Sequence, residues 1–360
     1  MLSSYTLPRR RFLSAALFLS AAIVAPTTAR AITLQPGDLL IGANIGASPT
    51  SFDYGILEID PTTGNRTIIS DLTTGTGPNF SFFPTAITFA PDGSLLVASD
   101  QNDPVNGGEL LRIDPTTGNR TLVSLAFKNS GPISGYVGAL YVDNTILMSG
   151  GPIVSVDPST GDRTLVSGTG QGVGPAINSE GFAPSGANLF VANATLGSII
   201  SVDTTTGNRA TISSATVGTG PSLNSPVDVV IDAAGKLIVN NNMGPLLSID
   251  PVTGNRSIVS SDSVGTGPSL AVGVACQLAI ASDGTIYTAQ SASFAVQFPI
   301  LAIDPLTGNR TIVSQGSHGT GPLFTPGFAL AIVPTPEPST LILAALGGLA
   351  LLAMHRRRGF

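Results

Sequence analysis

The sequence predicts an all-β protein, a six-bladed β-propeller whose ring is closed by pairing of the N-terminal and C-terminal strands. One fifteen-residue phrase, first found at 56–70 as ILEIDPTTGNRTIIS, occurs six times along the 360 residues. The Asp residues of successive copies are 54, 43, 46, 47 and 54 residues apart, which is the period of four-stranded propeller blades. The composition agrees, because 42 Gly and 27 Pro are typical of a chain with many turns.

Each copy of the phrase predicts a β-hairpin. An apolar strand runs into an Asp that can accept backbone N–H groups, and a Gly supplies a left-handed residue before a β-branched return strand. We expect these to be structural turn residues, with each Asp facing the Arg of its own hairpin as an exposed pair. The turn residues are Asp60, Gly64, Asp114, Gly118, Asp157, Gly161, Asp203, Gly207, Asp250, Gly254, Asp304 and Gly308. The arginines are Arg66, Arg120, Arg163, Arg209, Arg256 and Arg310.

The first blade indicates how the ring closes. Before its hairpin there is one apolar strand, 37–45, whereas later blades have two, as at 87–99. A strand without partners follows the last hairpin, at 327–333. Placing this strand innermost in the first blade joins the chain ends and leaves no open sheet edge.

A second phrase, Gly-Thr-Gly-Pro, recurs in the loops that follow the hairpins. It occurs at 75–78, 218–221, 265–268 and 319–322, with a stretched form at 168–175 and a shorter Ser-Gly-Pro at 130–132. Two interpretations stay open. The Gly and Pro residues simply make the crossover between blades, or the loops form a ring on one face that binds a repetitive ligand.

Residues 1–31 are predicted to be a signal peptide. Three arginines precede an apolar run that extends to Val24, and 29–31 offers a small-residue cleavage site. Arg9, Arg10, Phe12 and Leu13 resemble the twin-arginine export motif, while an ordinary secretory signal is the alternative. We therefore place the propeller at 32–333 of the exported chain.

Residues 334–360 form a three-part tail. Pro336, Glu337 and Pro338 are followed by an apolar segment, 340–354, predicted as a membrane helix, and then by three arginines at 356–358. This order resembles the PEP-CTERM sorting signal of Gram-negative bacteria, in which an exosortase recognises the motif and removes the anchor. The resemblance implies an exosortase-type enzyme and the export machinery as partners. It also implies a transient inner-membrane anchor and a destination at the cell surface, in the extracellular matrix or in the medium. A plain membrane anchor is the alternative.

Charge and composition limit the chemistry. Nine of the 16 basic residues and all 22 acidic residues lie between 32 and 338, a formal charge of −13 for that segment. Such a charge argues against binding nucleic acid or anionic lipid. With two His and one Cys in the whole chain, the sequence offers no Ser-His-Asp or Cys-His set, and we predict no catalytic or cofactor-binding residue.

The inner strands resemble those of NHL-repeat and gluconolactonase-type propellers, as in VDVVIDAAGKLIVNNN at 227–242. Some gluconolactonase-type propellers are hydrolases that hold a divalent cation in the central channel, and this resemblance implies a site for calcium or a similar ion. Its ligands would be Glu180, Asp228, Asp100, Asn193 and Asn240. The position of Asp228 is held by Ala86, Ser179 and Gln277 in other blades, so no complete ring of ligands is predicted.

We therefore expect a non-enzymatic binding or structural protein that associates with exopolysaccharide or protein partners. The alternative is a metal-dependent lactonase- or esterase-like hydrolase that uses the central channel.

Overall fold

The computed structural model describes residues 33–46, 53–99, 107–135, 137–142, 144–242, 244–270, 277–289 and 299–335. These residues contain no helix, and their 24 β-strands form six four-stranded antiparallel sheets. The prediction of an all-β, six-bladed propeller is confirmed.

The blades are numbered in chain order. Blade 1 contains β1 (Leu39–Ile45), β2 (Tyr54–Ile59) and β3 (Arg66–Ser70), with β24 (Phe324–Ile332) as its innermost strand. Blade 2 contains β4 (Pro84–Phe89), β5 (Leu95–Ser99), β6 (Glu109–Ile113) and β7 (Arg120–Leu125). Blade 3 contains β8 (Ala139–Val142), β9 (Thr145–Met148), β10 (Ile153–Val156) and β11 (Arg163–Ser167).

The other three blades follow the same order from the innermost strand outward. Blade 4 contains β12 (Ser179–Ser185), β13 (Asn188–Asn193), β14 (Ser198–Asp203) and β15 (Arg209–Ser213). Blade 5 contains β16 (Pro226–Ile231), β17 (Leu237–Asn241), β18 (Leu246–Ile249) and β19 (Arg256–Ser260). Blade 6 contains β20 (Leu278–Ile280), β21 (Ile286–Ala289), β22 (Ile300–Ile303) and β23 (Arg310–Ser314).

The C-terminal strand closes the ring as predicted. β24 pairs antiparallel with β1, so that Ile332 lies opposite Leu39 and Phe324 lies opposite Ile45. It also contacts β4 on one side and β20 on the other, which makes it the inner strand that joins blades 6 and 2. The observed strand begins three residues before the predicted one. Because the last strand completes the first sheet, the ring has no unpaired inner edge at the junction of the chain ends.

The buried core of the described residues divides into six apolar clusters, one between each pair of neighbouring blades. Successive residues of a strand face opposite sides of its sheet. On β2, Ile56 therefore packs in the cluster shared with blade 2, and Leu57 packs in the cluster shared with blade 6. Burial on both faces explains why two adjacent apolar residues, such as Ile56 and Leu57, occur in these strands where strict alternation would place one.

Several sequence predictions fall outside the described residues. They are the signal peptide, the export motif, the Pro-Glu-Pro motif and the membrane helix at 340–354. No helix in the described part of the chain is long and apolar enough to cross a membrane.

Candidate functional site

The hairpin turn is built around its Asp. In blade 1, Asp60 Oδ1 accepts the hydroxyl of Thr62 at 2.6 Å and the amide of the same residue at 2.8 Å, and Oδ2 accepts the hydroxyl of Thr63 at 2.6 Å. These hydrogen bonds lower the pKa of Asp60 to about 2. Gly64 has φ of +72°, a conformation that disfavours any residue with a Cβ. Hydrogen bonds within the turn likewise lower the pKa of Asp114, Asp157, Asp203, Asp250 and Asp304.

The repeat arginines do not face these aspartates, so the predicted exposed pairs are wrong. Each guanidinium points into the preceding blade, and within the described residues the ion pair that forms is Arg112 with Asp92. The six arginines donate to the last Ser of the preceding repeat at 2.7 to 3.1 Å. The pairs are Arg66–Ser314, Arg120–Ser70, Arg163–Ser124, Arg209–Ser167, Arg256–Ser213 and Arg310–Ser260.

Arg120 shows what each contact contains. Its Nη1 donates to Ser70 Oγ at 2.7 Å and to the carbonyls of Asp71 and Thr74 at 2.8 and 3.0 Å, while its Nε donates to the carbonyl of Pro78 at 2.5 Å. Its guanidinium carbon lies 5.6 Å from the centroid of the Phe80 ring, and that of Arg66 lies 5.4 Å from the centroid of the Phe324 ring. Arg120 is buried, and burial lowers its pKa. The planar guanidinium, whose N–H donors have fixed directions, suits this group of carbonyl acceptors.

The Gly-Thr-Gly-Pro loops are the partners of these turns. Thr76 donates its amide and its hydroxyl to Asn119 Oδ1, both at 2.9 Å, and its carbonyl accepts the amide of Arg120 at 2.7 Å. A Cβ placed on Gly75 would lie 1.9 Å from the carbonyl oxygen of Gly118. Gly75 therefore leaves open the space that the backbone of this turn occupies. The loops therefore make the crossover contacts between blades, as the first interpretation expects, and a ring of loops that binds a repetitive ligand stays a prediction.

We call each pairing of loop, turn and arginine an interblade latch. Six latches run around the ring of described residues, and the last joins blade 6 to blade 1, where Arg66 Nε donates to the carbonyl of Pro322 at 2.9 Å. Two latches vary the side chains without losing the contact. Asp162 replaces the Asn and accepts the amide of Ser130 at 2.9 Å, and Val173 replaces the Thr and donates its amide to Asn208 at 2.9 Å.

Asp228 is the candidate metal ligand with the most unusual surroundings. It is buried on β16, and its Oδ2 accepts the amide of Leu278, on β20, at 2.6 Å. A Cβ on Gly181, on β12, would lie 1.8 Å from Asp228 Oδ1, so the carboxyl occupies space that this glycine leaves open. The side chain therefore ties together the inner strands of blades 4, 5 and 6. Burial raises its pKa to about 7, and the Leu278 hydrogen bond only partly opposes that shift.

The other candidate ligands do not occupy equivalent positions. Asn193 is buried at the end of β13, where Oδ1 accepts the amide of Asn178 at 3.3 Å and Nδ2 donates to the carbonyl of Ala176 at 2.8 Å. In blade 5 the residue that makes these contacts is Asn241, whereas Asn240 lies opposite Asp228 inside β17.

Two candidates remain. Glu180 is half-buried on β12, and its backbone carbonyl accepts the hydroxyl of Ser149. Asp100 lies outside the described residues. Within the described ranges, no three His, Cys, Asp or Glu side chains come together as a cluster that could hold a metal ion. A cation in the channel therefore stays a hypothesis from the sequence.

The raised pKa of Asp228 predicts a specific pH dependence of stability. Between about pH 4 and pH 7, Asp228 keeps its proton in the folded protein but has lost it in the unfolded chain. This one group therefore lowers the free energy of unfolding by about 1.4 kcal/mol for each pH unit of increase. Asp228→Asn cannot ionise and can still accept the Leu278 amide. We expect the variant and the wild type to be similarly stable at pH 4, with the variant a few kcal/mol more stable at pH 8.

Urea unfolding at a series of pH values measures this difference. Asp232→Asn is a suitable control, because Asp232 is in the turn that follows the same strand and has a half-buried rather than buried side chain. A difference between Asp228→Asn and wild type that stays constant from pH 4 to pH 8 would contradict the prediction.

The C-terminal strand leaves the propeller beside a recess on one face. The last backbone hydrogen bonds among the described residues join the Val333 amide to the Asp38 carbonyl at 2.8 Å and the Gly37 amide to the Val333 carbonyl at 3.0 Å. The recess has a volume of about 510 Å³, and its walls come from the turns at 231–233 and 280–284 and from 332–335. The turns that follow the inner strands of blades 5 and 6 therefore border the point at which the tail begins.

The comparisons with known proteins identify the tail and the fold. Residues 334–358 match the PEP-CTERM protein-sorting motif. No curated protein sequence matches the chain. Among solved structures, the chain is similar to one in a nidogen/laminin complex, with 12% identity and a TM-score of 0.54, covering 82% of this chain and 98% of that one.

Two further solved structures share the fold at similar distance. TolB from Acinetobacter baumannii has 12% identity and a TM-score of 0.54, covering 83% of this chain and 67% of that one. A protein of unknown function from Bacteroides thetaiotaomicron has 11% identity and a TM-score of 0.53, covering 82% of this chain and 85% of that one. At these identities the similarity concerns the fold alone. The chain is a six-bladed β-propeller that carries a PEP-CTERM protein-sorting motif at its C-terminal end.

Proposed function

We propose that the propeller is a non-enzymatic binding or structural module that is delivered to the cell surface or extracellular matrix, where it associates with exopolysaccharide or protein partners. The sorting motif implies an exported protein that transits the membrane and is recognised by an exosortase. The nature of the module and of its partner is the part that we propose.

The position of the motif relative to the fold carries the proposal. All 24 described strands end before it, and Val333 makes the last backbone hydrogen bond found among the described residues. Processing near Pro338 would therefore remove the anchor and leave every strand of the propeller in place. A fold that is complete without its anchor is what a released matrix or surface protein requires.

The use of the repeated polar residues supports a non-enzymatic role. The Asp, Arg and Ser of each repeat, and its Asn or, in blade 3, Asp162, are engaged in turns and latches. Among the candidate metal ligands, Asp228 accepts a hydrogen bond from the inner strand of blade 6, and Asn193 holds the loop before β12. The polar side chains that recur in this sequence thus stabilise the scaffold.

The alternative is a hydrolase with a divalent cation in the channel. A purified protein spanning 32–338 would then retain a stoichiometric divalent ion and open lactones, and both properties would be lost in Asp228→Ala and Glu180→Ala. The non-enzymatic proposal expects neither property and expects retention on polysaccharide or protein prepared from the host matrix. Metal analysis, a lactone assay and a matrix-binding assay on the same preparation distinguish the two.

The sorting step makes its own prediction. Replacing Pro336, Glu337 and Pro338 with alanines leaves the apolar run and the arginines intact. Wild-type protein should be recovered in the matrix or medium ending close to Pro338. The variant should stay in the membrane fraction, because burial of its tail favours retention by about 0.8 kcal/mol per CH₂.

Intact-mass measurement of the membrane and released fractions in the native host gives the result. Alanines at 339 and 340 provide a control beside the motif. Wild-type protein found solely in the membrane and still ending at Phe360 would contradict the sorting proposal and favour a plain anchor.

A further inference from the structure

Two of the six hairpin turns break the repeat in the same way. The third position of the turn holds Thr62, Thr116, Ser159 and Thr205 in blades 1 to 4, but Val252 in blade 5 and Leu306 in blade 6. In blades 1 to 3 the hydroxyl at this position donates to the turn Asp at 2.6 Å. Val252 and Leu306 cannot, and they are 91% and 93% exposed. Two neighbouring blades thus replace a hydrogen-bonding side chain with a large aliphatic one in contact with water.

Both aliphatic side chains lie on the face from which the tail leaves. Pro305, next to Leu306, approaches within 3.8 Å of the Cβ position of Gly284, which lines the recess together with 332–335. In blade 5, the pKa of Asp250 is lowered by backbone hydrogen bonds within its turn and further by the charge of Lys236. Lys236 belongs to the turn that contributes 231–233 to the same recess. The turns of blades 5 and 6 and the exit of the tail are therefore neighbours.

The length of chain between the propeller and its anchor is short. Leu341, in the apolar run, is eight residue steps beyond Val333, the last described residue that makes a backbone hydrogen bond. Fully extended, they span at most about 29 Å. While the tail is inserted, this face of the propeller cannot be farther than that from the hydrocarbon core, and the headgroup layer fills part of the distance.

We propose that Val252 and Leu306 insert into the bilayer surface while the sorting tail is anchored, so that blades 5 and 6 dock on the membrane. This inference rests on the proposed function, because it requires that the tail enter a membrane. The inserted tail keeps the two side chains at high effective concentration near the lipid, so a small apolar contact is enough to hold blades 5 and 6 on the membrane. The contact is apolar rather than electrostatic, since the body carries a charge of −13. Docking fixes the distance between the membrane and Val333, three residues before the motif that a membrane enzyme would recognise.

The absence of Trp from the sequence makes the test direct, since a single introduced Trp is the one indole of the chain. Val252→Trp and Leu306→Trp report on the proposed contact. Thr116→Trp and Ser159→Trp occupy the same turn position in blades 2 and 3, across the ring, and serve as matched controls. Each full-length variant is reconstituted through its own tail into vesicles of phosphatidylcholine, with or without bromine on the acyl chains. Flotation measures the association of the protein with the vesicles.

Brominated lipid should roughly halve the fluorescence of the Val252→Trp and Leu306→Trp proteins and leave the two controls nearly unchanged. Equal quenching at all four positions, or none, in protein that floats with the vesicles would overturn the docking inference and leave the proposed function intact. Protein that does not float would overturn both the anchored state and the docking that depends on it. Fluorescence at 306 that changes with protein concentration but not with bromine would assign the surface to a second copy, which also overturns the inference.

Discussion

A protein spanning 32–325 is expected to lose cooperative folding and to aggregate, whereas one spanning 32–338 folds. The shorter chain lacks most of β24, including the buried side chains of Ala329 and Leu330, and it lacks Val333. Burial of a large aliphatic side chain contributes about 1.5 to 3 kcal/mol, and the backbone pairing with β1 is lost as well. These losses approach the total of about 5 to 15 kcal/mol that stabilises a typical domain.

The truncation also changes how the remaining chain behaves. Without β24, both β1 and the inner strands β4 and β20 lose a neighbour, which leaves a strand edge open to other molecules. Thermal unfolding and size-exclusion chromatography of the two proteins measure the effect. Both proteins lack the signal peptide and the apolar tail, so the structural difference between them is the closing strand β24. A melting temperature for 32–325 within a couple of degrees of that for 32–338 would contradict the closure.

The architecture could be predicted from the sequence because its signals are local and repeated. Each hairpin is encoded within fifteen residues, and six copies at blade spacing set the number of blades. The closure followed from counting, since blade 1 lacked one strand and 327–333 lacked partners. The observed pairing of β24 with β1 agrees, although the strand extends back to Phe324.

The latches were not predicted, because most of the partners of the arginines are backbone carbonyls. A carbonyl is present at every residue, so no side chain in the sequence marks the acceptors of Arg120. The one available signal was that two phrases, Gly-Thr-Gly-Pro and Gly-Asn-Arg, recur together. Charge alone suggested the nearest aspartate as the partner of each arginine, but that carboxylate is already occupied by hydroxyls and amides of its own turn.

The candidate metal ligands show a different limit on what the sequence can predict. The sequence offered Asn193 and Asn240 as candidate ligands of their blades, but the residue of blade 5 that holds the preceding loop as Asn193 does is Asn241. The turns differ in length, and register shifts interrupt both inner pairings, between Ser179 and Phe182 and between Pro226 and Asp228. The burial of Asp228 depends on a glycine in the neighbouring blade, 47 residues earlier. Such an approach between blades cannot be read from the residues on either strand alone.

Arg120→Lys is expected to reduce the free energy of unfolding by about 2 to 4 kcal/mol, although it keeps the charge. The ammonium of lysine cannot reach the carbonyl of Pro78 and, at the same time, the group formed by Ser70, Asp71 and Thr74. One or more buried carbonyls then lose their donor, and a buried cation loses part of its coordination.

Arg112→Lys is the matched control on the same blade. Arg112 forms an ion pair with Asp92 at 2.9 Å, but the two side chains are 31% and 62% exposed. An exposed pair contributes about 0 to 1 kcal/mol and weakens in salt, so the same substitution should cost little there. Urea unfolding at low and high salt compares the two variants. Equal destabilisation by Arg120→Lys and Arg112→Lys would show that the latch contributes no more than a surface contact.

A second latch variant tests how the latches act together. Arg256→Lys alters the latch between blades 4 and 5, on the opposite side of the ring, and it shares no partner with Arg120. If each latch stabilises only its own pair of blades, the two destabilisations should add within about 0.5 kcal/mol in the double variant. A closed ring gives a reason to expect that the double variant is destabilised by more than the sum of the two single variants. With one latch weakened, the circle can still hold its blades in place, and weakening a second on the opposite side allows the two halves to separate. Destabilisation of the double variant beyond the sum would therefore assign the six latches to one cooperative ring, and simple additivity would assign them to six independent contacts.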